Sequence, residues 1–138
     1  MYHAHLPANF KDNIVKEFSG KMSKIRILIS TVAFGMGIDV RDIKRIIHWG
    51  PPNTVEEYWQ EVGRCCRDGS QGEAIMYKVS GSVNKLRTKD CMLSLLSSTD
   101  CIRSNVLKTF KFSTVQCNKL LYNNNEQCCS RCQNEINK

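Results

Sequence analysis

At 138 residues, 41% of them hydrophobic and 24% charged, the chain can bury one modest core and a satellite subdomain. It has no apolar run of about 18 residues and no charged-then-apolar leader, so it reads as neither membrane-spanning nor secreted. Its 20 Lys+Arg and 13 Asp+Glu leave a net +7. Residues 1–80 hold 11 basic and 9 acidic side chains and residues 81–138 hold 9 and 4, so the C-terminal part would draw an anionic partner such as nucleic acid.

In chain order, Asn9 is placed to cap a helix whose apolar positions Phe10, Ile14, Val15 and Phe18 recur at helical spacing, with Gly20 closing it. Ile25 to Ser30 reads as an isoleucine-rich strand buried on both faces. Val32 to Val40 is a loop in which Gly35 and Gly37 allow backbone conformations that other residues resist. A strand from Ile43 to His48 follows, and Pro51-Pro52 forbids its continuation. Thr54 with Glu57 three residues on is a capping box, starting a helix that runs to about Cys65. Glu73 to Val79 alternates as another strand. Helices alternating with buried strands predict an α/β fold with a parallel sheet.

Near Gly81 the composition changes. Val83, Leu86, Cys91, Met92, Leu95 and Leu96 form one helical stripe, and Ile102, Val106, Leu107 and Phe110 another in a helix starting near Asp100. Residues 111–138 are polar, asparagine-rich and cysteine-bearing, too poor in apolar groups to pack without a staple.

The eight cysteines leave two staples open, disulfides or metal. Cys65-Cys66 and Cys128-Cys129 are adjacent pairs, and Cys129-x-x-Cys132 has the spacing of a metal knuckle. Without a secretory leader the compartment reads as reducing, which favours zinc over disulfides. Four zinc-bound thiolates would bring the net charge to roughly +3.

Arg64 and Arg67 stand three apart at the predicted helix end, one helical turn, so both guanidiniums can share a face. Taken alone, they read more readily as solvated charges that favour the helix dipole. Their surroundings decide otherwise. Gln60-Glu61-Val62-Gly63-Arg64 and Arg67-Asp68-Gly69 resemble, in register, the Q-E-x-G-R-A-G-R-D-G motif of the RecQ family of DNA helicases. Thr31 to Asp39 (TVAFGMGID) resembles that family's preceding motif, T-x-A-F-G-M-G-I-D, and Tyr2-His3-Ala4-His5-Leu6 its Y-H-A-G-L.

The resemblance implies a RecA-like, P-loop NTPase-type helicase C-terminal domain over 1–80, lacking its first strand. A small helical zinc-binding subdomain over 81–138 would follow. It implies that Arg64 and Arg67 approach the ATP phosphates, that Gln60 takes the place of the motif's glutamine, and that Thr31 touches the DNA backbone. Gly37 and Asp39 would lie on the nucleotide side of the cleft. The family's zinc subdomain opens a helix with its first cysteine and clusters three downstream, which points to Cys101, Cys117, Cys129 and Cys132, with Cys128 an alternative to Cys129. Cys91, inside an apolar stripe, reads as a buried thiol.

One departure stands out, Cys65-Cys66 where the family has Ala-Gly. If position 66 takes a positive φ, a cysteine there costs about 1–2 kcal/mol. The chain also contains no G-x-x-x-x-G-K-[ST] loop and no D-E-x-H box, so ATP with Mg²⁺ would be shared with an N-terminal RecA-like domain absent from this sequence. The expected whole is a nuclear 3′-to-5′ DNA helicase acting on single strands and duplex junctions, with no membrane partner and no ATPase activity in this chain alone. The competing reading is a non-catalytic, zinc-containing nucleic-acid-binding or adaptor module; a disulfide-rich extracellular protein is a third.

Overall fold

A computed structural model describes residues 1–20, 22–31, 40–41, 43–83, 86–110 and 128–132. Six elements follow one another: α1 (Ala8–Ser19), β1 (Arg45–Trp49), α2 (Val55–Val62), β2 (Glu73–Tyr77), α3 (Asp90–Ser97) and α4 (Ile102–Thr109). The chain divides into two compact units, one of Met1–Ile46 with Gln60–Ala74, the other of Ile47–Trp59 with Ile75–Lys138. β1 and β2 form a two-stranded sheet. Glu73 N–H donates to Lys44 O, and Gly50 N–H donates to Tyr77 O. Both strands therefore advance in the same direction, the parallel pairing that the alternation predicts.

In the first unit, α1 starts one residue earlier than its expected Asn9 cap. Pro7 occupies the cap position without a side-chain bond, its fixed φ suiting helix entry, and Asn9 lies inside the first turn. Gly20 ends the helix in an extended conformation. The segment 25–30 departs from the expected doubly buried strand. Tyr2 forms an isolated parallel bridge with Ser30, donating to Ile29 O at 2.8 Å while its own carbonyl accepts from Thr31 N–H at 3.0 Å. Tyr2 is buried, but Ile27 is 81% and Ile29 67% exposed. Among the described residues no sheet covers them, so the apolar run that suggested burial finds only one neighbour.

The second unit holds the core, in which Val55, Met92, Leu95 and Val106 are buried with Tyr58, Cys91, Leu96, Ile102 and Phe110 packed around them. The forward half of the capping box forms at the start of α2, while the return bond reaches one residue further back than the cap. Thr54 Oγ1 accepts from Glu57 N–H at 3.0 Å, and Glu57 Oε2 accepts from Asn53 N–H at 2.9 Å. With α2 so anchored, Val55 enters the core fully buried. α3 begins at Asp90 rather than near Gly81. Gly81 takes φ +76, a turn conformation, and Leu86 is 98% exposed, so only the later members of the predicted stripe are helical. α4 buries Val106 and Leu107 as expected. Among the described residues, no helix is long and apolar enough to cross a membrane.

Candidate functional site

Two groups of chemistry-bearing side chains take shape, one in each unit. The first is the turn after α2. The helix ends at Val62 and not near Cys65, because the chain tightens at once: Arg64 N–H donates to Glu61 O and Cys65 N–H to Val62 O. Arg64 and Arg67 therefore sit on turns rather than on one helical face, which corrects the geometry expected from their spacing. Arg64 is half-buried, its Nε shielded from solvent and without a hydrogen-bond partner among the described residues. Arg67 is exposed, its Nε donating to Gly63 O at 3.4 Å. Gln60 is exposed as well.

Cys66 does take a positive φ, +50, so the departure from the family's glycine carries the cost of about 1–2 kcal/mol expected for a side chain there. Two attachments hold the turn in place: Cys66 N–H donates to Ile43 O at 2.8 Å, and Lys44 pairs with Asp68 at 2.8 Å. The Lys44 hydrogen bond, then those from Ser70 hydroxyl and N–H, hold the Asp68 carboxyl well below the usual carboxylate range. Sequence reasoning passed over Lys44, whose signal was only a basic residue in a strand. Thr31 is exposed, with its N–H on Tyr2 O. Gly37 and Asp39 lie outside the described residues.

The second group is a cluster of four thiols. Cys101 is the cap of α4, its Sγ accepting from Ser104 N–H, which fits a first cysteine that opens a helix. Cys101, Cys128, Cys129 and Cys132 bring their sulfurs within 4.8 Å of one another, all half-buried. Cys101 and Cys128 stand 3.4 Å apart, Cys129 and Cys132 3.6 Å. Two sulfurs on one tetrahedral zinc at about 2.3 Å are about 3.8 Å apart, so the four-sulfur set fits a thiophilic divalent ion. Both Cys128 and Cys129 belong to the cluster; Cys117 lies outside the described residues.

The electrostatics agree with that fit. Burial raises the Cys129 thiol, but hydrogen bonds from Cys132 and from Ile102 and Arg131 N–H outweigh it and bring it down to about 7. Burial, then the Cys101 sulfur, push Cys128 up to about 11. Burial, then Cys129 and Cys101, likewise raise Cys132. Four thiolates so close cannot all ionise without a cation among them.

Arg131, inside the knuckle, fastens it to the core. Its Nη1 donates to Asp100 O at 3.0 Å and its Nη2 to Leu95 O at 2.9 Å, satisfying a carbonyl of the last turn of α3, which a helix otherwise leaves open. Hydrogen bonds from charged groups contribute about 1.5–3 kcal/mol. Arg131→Ala is therefore expected to lower the unfolding free energy by about that much in denaturant melts of metal-loaded protein, and a loss below about 0.5 kcal/mol would show the contact to be idle.

Residues 1–69 match the family model for the helicase conserved C-terminal domain. ATP-dependent helicase wrn-1 of Caenorhabditis elegans is 32% identical over 99% of this chain and 14% of its own length. The mouse bifunctional 3′-5′ exonuclease/ATP-dependent helicase WRN is 30% identical over 99% of the chain and 11% of its length. ATP-dependent DNA helicase hus2/rqh1 of Schizosaccharomyces pombe is 34% identical over 86% of the chain and 10% of its length. The turn and the match define a helicase C-terminal domain. More narrowly, the chain belongs to the RecQ family of helicases, spanning about a seventh or less of the length of these relatives.

Proposed function

We propose that this chain is the C-terminal part of the motor core of an ATP-dependent 3′-to-5′ DNA helicase acting on single strands and duplex junctions in the nucleus. In this reading 1–80 is the second RecA-like domain and 81–138 the zinc-binding subdomain. Arg64 and Arg67 face ATP with Mg²⁺ held on an N-terminal RecA-like domain, Gln60 takes the place of the motif's glutamine, Gly37 and Asp39 serve the nucleotide, and Thr31 meets the DNA backbone. A guanidinium placed at the phosphates stabilises charge as the γ-phosphoryl group departs. The observation that carries the reading is the identity of about a third that runs through 99% of the chain, with the arginine turn in register.

Zn²⁺ is the proposed resident of the four-thiol cluster, with Cys128 taking the place expected of Cys117. There it would supply a covalent staple for segments with little core of their own. The basic C-terminal part and this cluster also suit a non-catalytic zinc module that binds nucleic acid. One experiment separates the two. The 138-residue chain alone should hydrolyse no ATP, and joined to the first motor domain of a RecQ helicase it should gain DNA-stimulated turnover. Turnover by the chain alone would overturn the shared-site reading, and a silent fusion that still binds DNA would favour the module.

A further inference from the structure

Cys65 and Cys66 have no part in the proposed function. Successive side chains on an extended strand face opposite ways, but the left-handed backbone at Cys66 brings these two sulfurs together, 3.9 Å apart. The pair is held firmly. Cys66 N–H donates to Ile43 O, Asp68 N–H to Arg41 O, and the Lys44–Asp68 ion pair closes the turn. Gly72 lies against both sulfurs, and a Cβ there would overlap each of them, so a glycine keeps the space open. The half-buried thiols donate to carbonyl oxygens at the rim, Cys66 to Ile43 O at 3.4 Å and Cys65 to Glu73 O at 3.7 Å.

The distances decide what the pair can take. A disulfide wants its sulfurs about 2.05 Å apart and its Cα atoms about 4.4–6.8 Å apart, whereas neighbours across a trans peptide have Cα atoms about 3.8 Å apart. Closure is therefore disfavoured. Two sulfurs sharing one centre at about 2.3 Å must stand within about 4.6 Å of each other, as these two already do. Among the described residues no third cysteine, histidine or carboxylate joins them, which leaves a four-ligand metal short of partners. Burial, then the neighbouring sulfur, hold the Cys65 thiol above its ordinary range, so the suitable centre is one that reacts with thiols and carries its own remaining substituent.

We infer that Cys65 and Cys66 form a two-sulfur binding site for a trivalent organoarsenical, one arsenic bridging both sulfurs. With phenylarsine oxide, two S–H bonds and the arsenic–oxygen bond break and two As–S bonds form. The oxygen leaves with both protons as one water, and neither arsenic nor sulfur changes oxidation state. The inference rests on this turn alone and stands apart from the role of the arginines.

The test is a titration of the zinc-saturated 138-residue chain with phenylarsine oxide under a phosphine reductant, with adducts located by peptide mass mapping. One phenylarsenic per chain is expected on the peptide holding Cys65 and Cys66. Cys65→Ala and Cys66→Gly should each weaken binding about 100-fold or more, because losing one sulfur removes the intramolecular second bond. Glycine adopts the φ of position 66 readily, so Cys66→Gly with an unchanged circular dichroism spectrum reports the sulfur and not misfolding. Absence of the adduct from the unaltered chain, or affinity in both variants unchanged from that of the unaltered chain, overturns the site.

Discussion

Cys132→Ser and Cys129→Ser are each expected to strip zinc from a chain that otherwise purifies with one zinc per molecule under reducing conditions. The four sulfurs lie within 4.8 Å, so removing one leaves an incomplete tetrahedral set, and a structural zinc contributes on the order of 10 kcal/mol to the fold it holds. Without it, residues 101–138 must be ordered at about 1–2 kcal/mol each with few large apolar groups to offset the cost. Proteolysis should then begin in this part of the chain. Cys128→Ser should behave like Cys132→Ser, whereas Cys117→Ser and Cys91→Ser should keep the metal. Zinc retained in Cys128→Ser but lost in Cys117→Ser would restore Cys117 as the fourth ligand, and no zinc in freshly reduced protein would end the metal reading. Affinity should also fall steeply on acidification, roughly tenfold per pH unit for every thiol that must shed its proton, because Cys128 and Cys132 are raised by burial and by their sulfur neighbours.

Arg67→Ala, made in the chain joined to a first motor domain, is expected to lower DNA-stimulated ATP turnover by about 10³-fold or more, the effect of losing an arginine finger. Arg67 is exposed on a turn whose backbone is bonded at Cys66 and Asp68, so alanine should remove the guanidinium and leave the fold intact. A loss under about tenfold would make it a surface arginine. Arg64 differs in kind. Its Nε is shielded and has no partner among the described residues, so Arg64→Ala is a change at a half-buried site and its kinetics must be read beside a melting curve.

The features most legible in the sequence were those written in local pattern. Thr54 and Glu57 announced the start of α2, and Gly69 the turn that closes the arginine segment. The positive φ at Cys66 was readable only because the resembling motif has glycine there. Patterns that depend on distant partners were harder. Ile25 to Ser30 looked buried because its side chains are apolar, yet burial is a property of neighbours, and Ile27 and Ile29 have few among the described residues. Spacing favours Cys129 over Cys128, because x-x to Cys132 is a local rule, whereas the cluster holds both. Arg131 carried no signal at all: its carbonyl partners lie 31 and 36 residues away.

The stretch from Lys24 to Ser30, in which Ile27 and Ile29 are exposed, bears on how the isolated chain behaves at high concentration. It pairs through Tyr2 at Ile29 and Thr31 and shows isoleucines to water, the character of an edge on which a second copy can add a strand. Short β-prone apolar segments of this type seed cross-β stacking when nothing interrupts them. Here Lys24 and Arg26, both exposed, set like charges beside Ile25 and Ile27. Neighbouring copies in register would stack those charges on one another, which would oppose such self-association. Neutralising Lys24 and Arg26 together would remove that protection while leaving both the arginine turn and the thiol cluster untouched.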